Sequence, residues 1–235
     1  LSGYRGDFSK HAPSASLPNM NLLWESIPQQ LAKENKRFIY SEVLSGARRK
    51  TFEYPLRWLQ DAGLIHPVPR IKTPKLPMSS YWAAGISKVF FVDVGLLGAV
   101  CDLDAGTLLD GNLIFDDFKG ALTEQYVQQE LRAACALSPC YWASEEKNAK
   151  AEIDFLYSHR GNIIPIEVKS GINTQAKSLK TYCQRFQPRK AIRTSLNPHM
   201  RHTQDFKKPL YSHTSYEILD FPLYAISRLK KELDC

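Results

Sequence analysis

The sequence predicts an α/β protein in two parts, an N-terminal winged helix followed by a mixed sheet flanked by helices. Three observations predict it. Residues 21–100 read as apolar-periodic helices followed by two extended segments around a Pro/Ser loop, which is the order of a winged helix. From residue 119 onward the segments run helix, strand, strand, strand, helix, strand, an order that implies a mixed sheet with helices packed on it. The stretch NIIPIEVKSG, residues 162–171, reads as a buried strand that nevertheless ends in Glu167 and Lys169. A buried strand carries charges only where they are paired or bind something.

Taken in order, residues 1–20 are polar and hold prolines and serines, so they read as a linker or the remnant of a preceding domain. Leu22, Leu23, Ile27 and Leu31 recur at helical spacing over Asn21–Asn35. Ser41 can cap a short helix. Thr51 is the expected N-cap of the next, whose stripe is Phe52, Leu56 and Leu59 and whose C-cap is Gly63. Pro55 is tolerable there only near the first turn. LIHPVPRI and a second strand around Lys88–Val92 form a hairpin, with KTPKLPMSS as its floppy tip. Residues 101–118 connect, with a weak helix over Gly95–Val100 just before them.

The second part, residues 119–235, opens with a helix over Gly120–Ala134. CYWAS, AEIDFLYS and NIIPIEVKS follow as strands, NTQAKSLKTYCQRF as a helix, KAIRTS as a strand and PLYAISRLKKEL as a closing amphipathic helix. Pro165 removes a ladder donor from its strand, so its N side is expected to face an edge or a bulge.

Composition narrows the function. The 235 residues are 43% hydrophobic, enough for a packed core. The formal net charge is +7 and the pI near 9.1, which suits a polyanionic partner. Five scattered cysteines, with no C-x-x-C pair, argue against a disulfide framework or a zinc site and for a reducing, cytoplasmic setting. No apolar run is long enough to span a membrane. Four tryptophans read as core or packing residues, and no histidine is assigned a ligand role.

Side chains alternate along a strand, so Glu167 and Lys169 project together at one strand end. Asp154 lies opposite the Ile153, Phe155, Tyr157 face of the preceding strand. If the two strands are antiparallel neighbours, Asp154 and Glu167 approach each other and need a proton or a cation between them. Hard oxygen donors of this kind suit magnesium with waters completing its shell. Lys169 beside them can hold a water or offset charge on a phosphoryl oxygen. Glu124 shares a helical stripe with Val127 and Leu131; a core-facing glutamate needs a partner, which the metal or Lys169 could supply. Arg48, Arg49 and Lys50, before the third helix, and Lys72 and Lys75, on the wing, are expected to contact nucleic-acid phosphates.

The pattern Glu124, Asp154, Glu167-x-Lys169 over helix, strand, strand resembles the signature of the PD-(D/E)XK nucleases, whose core is restriction-endonuclease-like. QLAKENKRFIYSEVLSGAR, WLQDAGLI, KVFFVDVGLL, GALTEQYVQQELRA and AEIDFLYSHRGNIIPIEVKSG together resemble prokaryotic proteins with an N-terminal AAA-type ATPase domain and a C-terminal nuclease-like domain of unknown function. The resemblance covers the chain from about Tyr4 onward. It implies that this chain is the C-terminal part, with its own ATPase domain as a partner. The chain holds no G-x-x-x-x-G-K-[ST], so ATP is expected only in the absent domain. The expected function is a magnesium-dependent phosphodiesterase acting on DNA. Asp154 and Glu167 would hold the metal, Lys169 would position the attacking water or stabilise charge, and Glu124 would orient a metal-bound water or Lys169. The alternative is a non-catalytic DNA-binding or protein-interaction module with an inactive nuclease fold.

Overall fold

Two compact units emerge in the computed structural model, which describes residues 1–235 except 1, 105, 108, 109, 111–113, 115, 146–150, 173, 174 and 235. One unit comprises Leu1–Pro67 and Gly85–Tyr126; the other comprises Val68–Ala84 and Val127–Cys235. Among the described residues, α-helices with defined bounds are α1 (Ser2–His11), α2 (Leu17–Leu31), α3 (Tyr40–Val43), α4 (Arg49–Asp61), α5 (Val94–Val100), α6 (Asp116–Ala133), α7 (Lys177–Phe186) and α8 (Leu229–Asp234). The strands are β1 (Ile65–Ile71), β2 (Trp82–Phe91), β3 (Cys140–Ala143), β4 (Glu152–His159), β5 (Asn162–Val168), β6 (Lys190–Ser195), β7 (Met200–Asp205) and β8 (Ser215–Pro222). They form one mixed eight-stranded sheet in the order β2-β1-β3-β4-β5-β6-β8-β7, so the expected α/β class with N-terminal helices and a helix-flanked mixed sheet is observed.

In the first unit the expected succession of helices and a hairpin is present, with three local differences. The expected linker contains α1, because Phe8 is buried edge-on against Trp24 at 5.2 Å and Trp58 at 5.7 Å. Such ring pairs add roughly 0.5–1.5 kcal/mol beyond burial, which lets one aromatic anchor a helix that has no apolar stripe. Helix α4 begins two residues before Thr51, whose N–H donates to Arg48 O at 2.9 Å, so Pro55 falls in the helix interior. It ends as expected: Gly63 takes a left-handed φ of 73°, and Leu64 N donates back to Leu59 O at 3.0 Å. Asp93 caps α5, accepting from Leu96 N at 2.7 Å. The core gathers Met20, Leu23, Trp24 and Ile27 of α2, Phe52 and Leu59 of α4, and Phe91 of β2, all buried. Gln125 of α6 holds β2 by both ends of its amide, accepting from Phe91 N at 2.9 Å and donating to Phe91 O at 2.8 Å.

In the second unit, helix α7 packs Leu179, Tyr182 and Cys183 on a sheet face made by Trp142, Ile153, Leu156, Ala191 and Ile218. The far end of β1 is hydrogen-bonded into this sheet, with Arg70 paired to Tyr141 and Ile71 to Trp142 in parallel register. Ile71 and Trp142 bury together in the same core, which is what draws the strand in. β5 lies between β4 and β6, so Pro165 does not sit on an edge. Lys169 N donates toward β6, to Thr194 O, so the N side of Pro165 also faces β6. The β5–β6 ladder starts only at Ile166, one residue past the missing donor. The expected closing helix is a 3-10 turn over Leu223–Arg228 followed by α8.

Candidate functional site

β4 and β5 are antiparallel neighbours, paired as far as Phe155 opposite Ile166, and Asp154 and Glu167 are the next residues of the two strands beyond that pair. Asp154 Oδ2 accepts a hydrogen bond from Val168 N at 2.8 Å. That bond fixes the carboxylate at the strand end. Glu167 is buried at 5% exposure. Lys169, two residues on, sends its Nζ to Glu167 Oε1 at 2.8 Å, while its own N–H is held by Thr194 O at 2.9 Å. The structure thus brings together Asp154, Glu167 and Lys169 on one sheet face, through the strand period alone.

The polar row continues across the sheet. Arg193 of β6 stands opposite Glu167, and Asp220 of β8 stands opposite Arg193. Arg193 grips Asp220 with two bonds, Nε to Oδ1 at 2.6 Å and Nη2 to Oδ2 at 2.8 Å. His202 Nε2 meets Asp220 Oδ2 at 2.7 Å. Burial pushes the Asp220 carboxyl up, but the bonds from Arg193 and His202 outweigh it and hold the group below the usual carboxylate range. A cleft of about 270 Å³ opens beside Arg193, walled by Lys177 and Lys180 of α7 and by Tyr216 and Ile218 of β8. Three cations beside the carboxylate row suit a phosphate. Arg193, His202 and Asp220 were not among the sequence candidates, though a charge inside each of the runs KAIRTS and EILDFP was a usable signal.

Glu124 sits in the first unit, on the buried face of α6 with Val127 and Leu131 as expected. Its bonded partners are two lysines of the same unit. Glu124 Oε1 is bonded by Lys36 Nζ, and Oε2 meets Lys88 Nζ at 3.4 Å. Burial pushes the Glu124 carboxyl up, and the two ammonium groups more than reverse that, holding it below the ordinary glutamate value. Lys88 is wholly buried, so this is a buried cation–anion–cation triad.

The basic residues expected on nucleic acid fall into two groups. Arg48, Arg49 and Lys50 are exposed at the start of α4, and the Arg49 guanidinium lies against the backbone of Gly85. Lys72 and Lys75, also exposed, belong to the hairpin segment of the second unit.

Among the described residues no group of three or more His, Cys, Asp or Glu side chains is arranged to hold a metal. Asp154 and Glu167 are two oxygen donors. That set fits a magnesium ion, which keeps several of its waters and takes one or two carboxylates, and does not fit zinc, which takes three or four protein ligands. The cysteines described (Cys101, Cys135, Cys140 and Cys183) are free thiols. Burial raises Cys140 and Cys183 to about 12 each, so both are protonated thiols at neutral pH. No helix among the described residues is long and apolar enough to cross a membrane.

Residues 1–107 match a domain of unknown function, DUF8612, and residues 119–212 match a second, DUF4143. Neither description names an activity. No curated protein matches the chain. Among solved structures, the crystal structure of protein VC1899 from Vibrio cholerae is similar over 94% of this chain and 52% of its own, at 13% identity and a TM-score of 0.28. The chain spans about half the length of that protein.

Proposed function

We propose that this chain is a magnesium-dependent phosphodiesterase acting on DNA, of the PD-(D/E)XK type, and the C-terminal part of an AAA-type ATPase. The observation that carries the reading is the placing of Asp154 and Glu167 at adjoining ends of neighbouring antiparallel strands, with Val168 N bonded to Asp154 and Lys169 bonded to Glu167. Asp154 and Glu167 would hold the ion, which would supply a polarised phosphoryl oxygen and an acidified water. The Lys169 ammonium, 2.8 Å from Glu167 Oε1, can turn to a developing phosphoryl charge. Arg193, anchored by Asp220, presents a fixed cation to a phosphate in the adjoining cleft.

One observation favours a second reading, a non-catalytic DNA-binding or protein-interaction module with an inactive nuclease fold. Lys169 already pairs with Glu167 Oε1, and Val168 N already occupies Asp154 Oδ2, so both carboxylates are engaged within the chain itself.

The test is calorimetric titration with magnesium and manganese on the chain and on Asp154→Asn, with plasmid and single-stranded DNA cleavage assayed in parallel. Metal binding and cleavage that both vanish in the variant support the phosphodiesterase. Absence of both in the parent chain, and again in the chain joined to its ATPase domain, overturns the phosphodiesterase reading and leaves a non-catalytic module.

A further inference from the structure

A second cleft, of about 540 Å³, opens at the far end of β5 from Glu167, where Asn162 and Ile163 begin the strand. Its inner wall is aromatic. Tyr182 and Phe186 of α7 lie 4.8 Å apart between ring centroids and line it together with Tyr81. Two cations stand at its rim, Lys75 and Arg189. Both are exposed, and neither is paired with a carboxylate among the described residues. Among the described residues no Asp or Glu lines the cleft.

Tyr211 is the distinguishing feature. It is 61% exposed, yet its ring lies parallel to His213, with 2° between planes and 5.6 Å between centroids. The stack is held rigidly from behind. His213 meets Phe206 edge-on at 5.5 Å, and His213 Nε2 bonds Gln187 O at 3.0 Å. The Gln187 amide, itself buried, accepts from Leu210 N at 2.6 Å and donates to Lys208 O at 2.7 Å. The loop that carries Tyr211 is thus fastened on both sides of the ring. An exposed, immobilised aromatic beside unpaired cations is the arrangement that stacks bases and tracks phosphates, and a cleft of this volume is within the range of small-molecule sites.

We propose that this cleft binds a nucleotide unit, with the base stacked on Tyr211 and the phosphate between Lys75 and Arg189. A single-stranded oligonucleotide and a free nucleoside phosphate share that chemistry. The site is independent of the metal reading. Ile163 and Glu167 are four residues apart on β5, roughly 13 Å at the strand rise, and no part of the recognition uses a divalent ion.

The test uses the 235-residue chain in the presence of a chelator, so that failure of the nuclease reading leaves it intact. Anisotropy of a short fluorescein-labelled oligothymidylate and calorimetry with adenosine monophosphate are measured side by side. Binding of the oligomer alone identifies a strand path, and comparable binding of the monophosphate identifies a mononucleotide pocket; either supports the site. Tyr211→Ala is expected to weaken binding by roughly 5- to 150-fold, Tyr211→Phe to preserve it, and Arg189→Glu to weaken it while lowering its salt dependence. Circular dichroism confirms that the variants fold, since Tyr211 and Arg189 are surface residues. No binding of either probe, or binding to Tyr211→Ala as tight as to the parent, overturns the proposal.

Discussion

Glu124→Gln keeps the shape of the side chain and removes the charge that Lys36 and Lys88 share. In the parent, Lys88 is fully buried and its ammonium lies 3.4 Å from Glu124 Oε2. The variant leaves Lys88 without that anion, and an amide cannot replace a carboxylate as acceptor for two ammonium groups. Removing one partner of a buried ion pair costs about 3–5 kcal/mol. For a chain of this size each kcal/mol moves the melting midpoint by roughly 2–4 °C, so the midpoint should fall by about 6–20 °C. Thermal melts followed by circular dichroism read this directly. The double variant Glu124→Leu with Lys88→Met should recover much of the loss, because a buried pair replaced by apolar side chains of similar volume is close to neutral. Lys36 can then turn its partly exposed ammonium to water. The sign with pH is also fixed. The folded Glu124 carboxyl is depressed, so its contribution is present above the unfolded value and disappears as pH falls through the folded one. If Glu124→Gln melts within about 1 kcal/mol of the parent while DNA cleavage is abolished, the structural account of Glu124 is wrong and the residue acts in the chemistry instead.

Asp220→Asn should flatten the acid limb of the stability curve. The parent carboxyl is depressed by Arg193 and His202, so its contribution is lost only as pH falls below the unfolded carboxylate value, and acid titration of the variant should lack that step. Gly63→Ala, at a φ of 73°, should cost about 1 kcal/mol in urea unfolding, since a Cβ is strained in the left-handed region. Leu179→Ala, at the centre of the α7 packing with 1% exposure, should cost about 2–5 kcal/mol by the same measurement. Glu145→Ala should be nearly silent in stability, because its bond to Arg70 at 2.7 Å joins a carboxylate side chain that is 60% exposed.

What the sequence disclosed depended on periodicity. Asp154, Glu167 and Lys169 could be placed on one face because strand side chains alternate, and the register of β4 with β5 agrees. Glu124 could be placed on a buried stripe for the same kind of reason. Its partners could not, because Lys36 and Lys88 are 88 and 36 positions away in sequence and nothing local points to them. α1 was missed because one buried ring, Phe8, stands in for an apolar stripe. β7 was missed because MRHTQD is almost wholly exposed on a sheet edge and carries no alternating apolar signal. β8 was missed because the row of charges that makes it interesting, ending in Asp220, interrupts the hydrophobic pattern that would have announced a strand. The hairpin was foreseen, but its pairing with β3 is a long-range contact that no window of sequence contains.

That pairing bears on how such a chain can be cut or recombined. The polypeptide passes from one unit to the other at 67/68, returns at 84/85 and leaves again at 126/127. The last crossing lies inside α6 rather than in a spacer. A fragment starting at residue 119 would lose Arg70 and Ile71, and with them the cover over the outer edge of β3 beside Tyr141 and Trp142. A bare edge next to a large aromatic is a template for another chain. The two halves are therefore not interchangeable cassettes. An isolated C-terminal half should be found in aggregates rather than in solution.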